Sequence, residues 1–308
     1  MILKIGKSLK RYMKKKKLNC IIVGLGNIGM MYDYHLRGEY ILSHTTSILK
    51  SRNFNLICAI DTDRNKRMLF EKKFKLKTLD NIDKIDEKEI DLLILSSPYE
   101  AHFSLMKRII KKLKVKVILC EKPFTNNLKN AKKIKSSIGT KKVKIFINYS
   151  RISDAASHSI RNEILNKKNI FGKVFYSKSL LNNCSHFINL FNFFFGLPKE
   201  HRIISKKKNI FSLRYKNAII DFYKKNQFRS NNFFLYNDKF RLEYRIKNNH
   251  ILLKKGNKKK IIPSCGKNIN FYVIKNLERY FDNKKYKLCD IDKAIDTHKI
   301  LSKLKVLH

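Results

Sequence analysis

The chain has 308 residues, 43% of them hydrophobic, with 21 Phe and 14 Tyr, which is enough apolar matter for a sizeable core and excludes a mainly disordered polymer. A formal charge of +45 raises nucleic acid or a membrane surface as a partner. The distribution speaks against both: 55 of the basic residues are Lys and 14 are Arg, and they divide evenly, 34 over residues 1–148 and 35 over 149–308.

In chain order, residues 1–13 read as a basic extension. Lys14 to Lys17 and the apolar residues after them resemble an export signal. That run, however, carries three glycines at fixed offsets and continues into Tyr32-Asp33-Tyr34-His35, so a strand over 19–23 entering a turn explains it better. The turn is Gly24-Leu25-Gly26-Asn27-Ile28-Gly29, with a helix expected over about 30–37. In a GxGxxG, the first glycine permits the tight turn, the second lets backbone approach a pyrophosphate, and the third lets helix and strand pack closely. Gly24, Gly26, Asn27, Ile28 and Gly29 are therefore candidate dinucleotide contacts.

A second strand over 54–60 ends in Asp61, whose carboxylate suits the adenosine ribose hydroxyls and repels a 2′-phosphate. NAD is the expected cofactor, with NADP possible because Arg64 is near. Asp61 lies 32 residues past Gly29, where about 20 is usual, so residues 38–53 must hold an insertion. Within it His44 reads as a polar loop residue or a substrate contact. A helix over 64–73 and a carboxylate-rich helical stretch over 83–89 follow. The strand beginning at Asp91 is stopped by Ser97-Pro98 at its carboxyl end, and a helix runs over 102–113. The strand over 115–120 delivers Glu121-Lys122-Pro123 to the same edge. A helix over 128–138 and a strand over 143–147 complete an α/β unit: a doubly wound parallel Rossmann sheet over residues 1–148.

Residues 149–308 change character. A strand-like run over 174–180 and an apolar helix over 185–195 lead to strand-like runs over 211–215, 218–223, 232–236, 240–246 and 250–254 without intervening helices, before two terminal helices over 269–281 and 291–304. This predicts an α+β domain with an open, mainly antiparallel sheet. The six cysteines form no CxxC, so no thiolate metal site is expected, and Cys20, Cys58 and Cys120, inside apolar runs, read as buried thiols in a reducing cytoplasm. No apolar run reaches the ~20 residues of a membrane span.

Gly24-x-Gly26-x-x-Gly29, Asp61, Ser97-Pro98-x-x-x-His102 and Glu121-Lys122-Pro123 together resemble the Gfo/Idh/MocA oxidoreductases (glucose–fructose oxidoreductase, inositol dehydrogenase and rhizopine catabolism). Asn148-Tyr149-Ser150-Arg151 is similar to that family's crossover into its second domain. The resemblance implies hydride transfer between nicotinamide and a sugar or nucleotide-sugar carbon, in a homo-oligomer. It casts Lys122 and His186 as catalytic, and Ser97, Pro98, His102 and Glu121 as further cofactor contacts, although a structural role at the helix start explains His102 better. Arg151, Asn182 and Asn189 fall on the substrate side. Asn182 and Asn189 stand where the family carries aspartates, and an amide cannot take a proton at neutral pH. The alternative is a NAD(P)-binding sensor of the same fold without turnover.

Overall fold

A computed structural model describes residues 16–36, 40–86, 89–177, 179–225, 232–245 and 250–305. The apolar run ahead of the glycine turn is β1 (Leu18–Val23), buried at its carboxyl half in the middle of a seven-stranded sheet. β2 (Phe54–Ile60) and β3 (Lys77–Leu79) extend the sheet on one side. β4 (Ile90–Leu95), β5 (Val115–Cys120) and β6 (Lys144–Ile147) extend it on the other, all parallel. Strand order thus reverses between β1 and β4, and the crevice outside their carboxyl ends is where open α/β sheets take ligands.

Helices α1 (His44–Leu49), α2 (Arg64–Phe74), α3 (Tyr99–Lys112) and α4 (Leu128–Ile138) connect these strands. Side-chain caps fix several starts: the Asp63 carboxylate accepts from the Asn65 and Lys66 amides, and Asn127 accepts from Asn130 N at 2.8 Å.

The second sheet has eight strands: β7 (Ile170–Tyr176), β8 (Glu200–Ser205), β9 (Ile210–Arg214), β10 (Ala218–Lys224), β11 (Asn232–Asn237), β12 (Phe240–Arg245), β13 (His250–Lys255) and β14 (Lys258–Pro263). Its order is β14-β13-β12-β11-β7-β10-β9-β8, and every pair is antiparallel except β7 with β10. One face is covered by α5 (Ala155–Ile164) and α6 (Ser185–Phe195). There Phe187, Phe191, Phe194, Phe211, Phe222 and Phe233 form a continuous aromatic core. At about 1.5–3 kcal/mol per buried large apolar side chain, this layer supplies much of the driving force for that half. The chain then returns to the first sheet. α7 (Ile269–Phe281) packs on one face of it, α8 (Ile291–Lys303) on the other, and β15 (Cys289–Asp290) pairs antiparallel with β6.

Three local expectations are corrected. The helix over 30–37 is a single 3-10 turn, Met31–Asp33, because the chain leaves the helical path there; Arg37 lies outside the described residues. Around 83–89 only the 3-10 turn Ile82–Lys84 forms, with residues 87 and 88 outside the described residues. The strand placed at 174–180 is β7, shifted toward the N-terminus: alternate burial of Ile170, Gly172, Val174 and Tyr176 sets its register. Ser179 Oγ accepts from Asn182 N and starts a π-helical turn, Leu180–Cys184, that runs straight into α6. Ile246, expected at a strand end, lies outside the described residues.

Candidate active site

The glycine turn is built from contacts that only glycine permits. Gly24 has φ +101°, and a Cβ there would lie 2.6 Å from the Ser96 carbonyl carbon and the Ser97 nitrogen, where β4 ends. A Cβ on Gly29 would come 2.1 Å from the Gly24 oxygen. Gly26 differs, since a Cβ there meets nothing within 4 Å. Its backbone opens onto a cleft of about 950 Å³ at the strand ends. Ser96, which the motif reading passed over, donates from Oγ to the Gly24 oxygen at 2.7 Å and ties β4 to the turn.

The Asp61 carboxylate stands on this cleft. Oδ2 accepts from Leu25 N at 2.7 Å and Oδ1 from Asp63 N at 2.9 Å, so its position is set by the turn itself. Gly24, Gly26, Asn27, Ile28, Asp61, Ser97, Pro98, Glu121, Lys122 and Asn182 all line this one cleft. An open cradle at Gly26 with a carboxylate at the adjoining strand tip fits a dinucleotide: the turn's backbone would hold the pyrophosphate and Asp61 the ribose.

Two predicted contacts are placed elsewhere. Gly29 packs beneath the turn. His102 is fully buried, with Nε2 2.9 Å from the Ser97 oxygen and Nδ1 near the oxygens of Pro123 and Phe124. Burial pushes its pKa down against the opposing pull of those carbonyls. It fastens the two strand-end loops to each other and does not reach the cleft.

The insertion before Asp61 is resolved by two hydrogen bonds. His44 N donates to the Ile28 oxygen at 2.9 Å and Thr45 N to the Gly29 oxygen at 3.0 Å. In an unbroken helix those carbonyls would receive residues 32 and 33. Residue 44 thus occupies the place of residue 32, twelve positions on, which equals the excess that Asp61 shows over the usual ~20. The helix after the glycine turn is interrupted, and α1 resumes it in register.

This resumption brings His44 inward. His44 is fully buried, and its Nε2 lies 2.7 Å from Oε1 of Glu121. Asn148 at the end of β6 donates to the same oxygen, and Lys122 N donates to Oε2 at 3.2 Å. Burial by itself would raise the Glu121 pKa; the His44 bond and charge, the Asn148 bond and the Lys122 charge outweigh it and hold the carboxyl below its ordinary range. Glu121 is therefore a fixed anion beneath Lys122. Sequence reasoning left His44 open; the signal that finds it is the twelve-residue excess, which returns it to the first turn after Gly29.

Lys122 lines the cleft, and its Nζ donates to the Asn182 oxygen at 2.9 Å. The π-helical turn holding Asn182 leads one residue later into α6, so Lys122 is tied to the helix that carries His186. His186 lines a second cavity of about 440 Å³, walled by Arg151, Asp154, Phe233, Tyr244 and Lys267 among others. Its ring packs edge-on to Tyr149, and Nδ1 is buried without a hydrogen-bond partner. Desolvation, then the positive Lys122 and Arg151, push its pKa well below the ordinary value, so it is neutral at physiological pH.

Arg151 donates from Nη1 to the Tyr244 hydroxyl at 2.9 Å and lies 4.6 Å from the Phe187 ring centroid. Asn189 is not brought to either cavity. It points into the packing against α8, donating to Thr297 Oγ1 at 2.9 Å.

A turn whose middle glycine opens on a cleft at the strand ends is the architecture of a Rossmann-type dinucleotide-binding fold. Residues 18–149 match the model of the Gfo/Idh/MocA family, described as an oxidoreductase family with an NAD-binding Rossmann fold. Solved structures extend the likeness of fold to the second half. A dehydrogenase (MviM) from Clostridium difficile has a TM-score of 0.75 at 15% identity, over 94% of this chain and 99% of that one. Aldose-aldose oxidoreductase from Caulobacter crescentus, complexed with glycerol, gives 0.75 at 14%, over 94% and 97%. An oxidoreductase from Agrobacterium radiobacter, solved with NAD+, L-tartaric acid and magnesium, gives 0.69 at 11%, over 93% and 95%. No curated protein matches the chain by sequence.

Proposed function

We propose that the protein is an NAD-dependent dehydrogenase or reductase acting on a hydroxyl or ketone carbon of a sugar or nucleotide-sugar. The observation that carries this reading is Lys122: a lysine at the end of β5, on the cofactor cleft, bonded to the backbone that leads into His186 and the second cavity. NAD, when bound, supplies the hydride acceptor or donor. Lys122 Nζ moves the proton of the reacting oxygen, giving it to a ketone in reduction and taking it from an alcohol in oxidation. Glu121, held by His44 and Asn148, fixes the backbone and the local field on which Lys122 stands. His186, neutral and on the wall of the second cavity, relays that proton toward it. Arg151 and Tyr244 orient the polyol there.

The eight-stranded sheet supports a homo-oligomer. On the face opposite α5 and α6, Phe175 stacks on Tyr223 at 5.5 Å and Phe171 is 46% exposed. Six cysteines outside any disulfide support a reducing, cytoplasmic setting, and among the described residues no helix is long and apolar enough to cross a membrane.

Thermal-shift measurements with NAD, NADP and a panel of free, UDP- and CMP-linked sugars, followed by 340 nm absorbance, test the reading. Stabilisation by a dinucleotide and turnover of at least one sugar is expected. Stabilisation by free inositols alone overturns the substrate class. Dinucleotide binding without turnover, and with Lys122→Ala indistinguishable from wild type, favours the sensor that Asn182 and Asn189 suggest by replacing carboxylates.

A further inference from the structure

The helix is interrupted between residues 31 and 44, with residues 37–39 outside the described residues, and the near leg of this excursion borders the cleft. Tyr32 opens it. The Tyr32 amide still donates to the Asn27 oxygen at 2.9 Å, so its backbone belongs to the glycine turn. Its side chain lines the same cleft as Gly26, Asn27 and Asp61, and at 54% exposure it is a large aromatic without cover.

The surroundings fix its position. Behind it Asp33 is buried, and its Oδ2 accepts from Leu42 N at 2.8 Å and Ser43 N at 2.9 Å, closing the excursion at its base. Tyr34 is bound to α2 through its hydroxyl, which donates to the Leu69 oxygen at 3.1 Å, and Lys73 sits over its ring. The returning leg is held by the segment leading into α7: Ile41 N donates to Asn268 Oδ1 and Asn270 donates to the Leu42 oxygen. A backbone anchored on three sides that leaves one aromatic ring open to a cleft is organised to present that ring.

We infer that Tyr32 is a dinucleotide-binding residue supplied by the excursion, its ring covering the phosphate–ribose portion of the cofactor beside the open face of Gly26. The excursion therefore adds an exposed aromatic ring to a cleft that Ile28, Ile60, Pro98 and Tyr99 also line. Ring burial under a bound ligand contributes through apolar area removed from water, which sets the scale of the effect at about tenfold in affinity. The inference rests on dinucleotide binding and not on the identity of the substrate.

NADH fluorescence titration of the full chain tests it without any substrate. Tyr32→Ala is expected to raise the NADH Kd about tenfold, Tyr32→Phe to keep it within about twofold, and Leu36→Ala, elsewhere on the excursion, to leave it unchanged. A shortened chain lacking residues 32–43, with Met31 joined to His44, restores the helical register and is expected to lose as much affinity as Tyr32→Ala. Wild-type affinity in Tyr32→Ala overturns the inference, and a loss in Tyr32→Phe as large as in Tyr32→Ala overturns the assignment to the ring. If the shortened chain does not fold, the point variants decide. A wild-type chain that binds neither NADH nor NADPH overturns dinucleotide binding itself, which separates that failure from this one; failure to turn over sugars leaves the titration intact.

Discussion

The cofactor cleft and the substrate-side cavity are made in opposite ways. In the cleft, the two carboxylates facing the glycine turn and Lys122 are tied down, Asp61 through both oxygens and Glu121 through three donors, and Ser96 holds the Gly24 carbonyl. In the wall of the cavity, two polar atoms, His186 Nδ1 and Arg151 Nε, are buried without hydrogen-bond partners. A buried polar atom left unpaired costs about 1–3 kcal/mol, so the wall of the second region carries an uncompensated polar cost. The first region reads as a preformed cradle of fixed shape, and the second as a cavity whose wall is less fully hydrogen-bonded.

The glycines break this comparison most sharply. Gly26→Val adds a side chain where there is open space, so the melting temperature should stay within about 2 °C while NADH affinity falls on the order of 10–100-fold. Gly29→Ala forces a Cβ against the Gly24 carbonyl, so it should lower stability by about 3 kcal/mol, in the range of severe steric mutations. Thermal melts paired with NADH titration separate the two. A Gly26→Val that binds NADH normally would remove the cradle from the account.

Acid is the gentler probe, and it acts outside both sites. His298 on α8 is almost fully buried near Phe124, and burial lowers its pKa to about 4. The unfolded chain takes up a proton near pH 6.5 while the folded chain does not, so this contribution is fully present above pH 6.5 and is lost as pH falls toward 4. Each unit of difference corresponds to 1.36 kcal/mol, so roughly 3 kcal/mol is at stake. His298→Phe should flatten the decline of melting temperature between pH 7 and 4.5, and an unchanged slope would refute this origin.

Much of this was legible in the residues. Helices α4, α6 and α7 fall where the apolar pattern places them, and the glycine turn, Asp61 and Lys122 share one cleft as their spacing implies. What escaped depends on contacts between distant residues. The interrupted helix is defined by amides sixteen residues from their carbonyl partners, which no local pattern contains. β8 and β14 carry mostly exposed residues and exist as strands because β9 and β13 offer them edges. Asn189 was placed on the substrate side by its motif position, whereas the turn of α6 and the arrival of α8 bury it. His44 joined the site only because the helix resumed in register.

The central claim is that Lys122 performs the proton chemistry in a cleft whose cofactor affinity it does not set. The direct measurement is Lys122→Met, assayed for turnover at 340 nm with the best sugar of the panel and, on the same preparation, for NADH binding by fluorescence. The account predicts turnover lower by about 10²–10⁴-fold, the usual weight of a positioned acid or base, with the NADH Kd within about threefold of wild type. Turnover equal to wild type, or a loss explained entirely by weaker NADH binding, would contradict it.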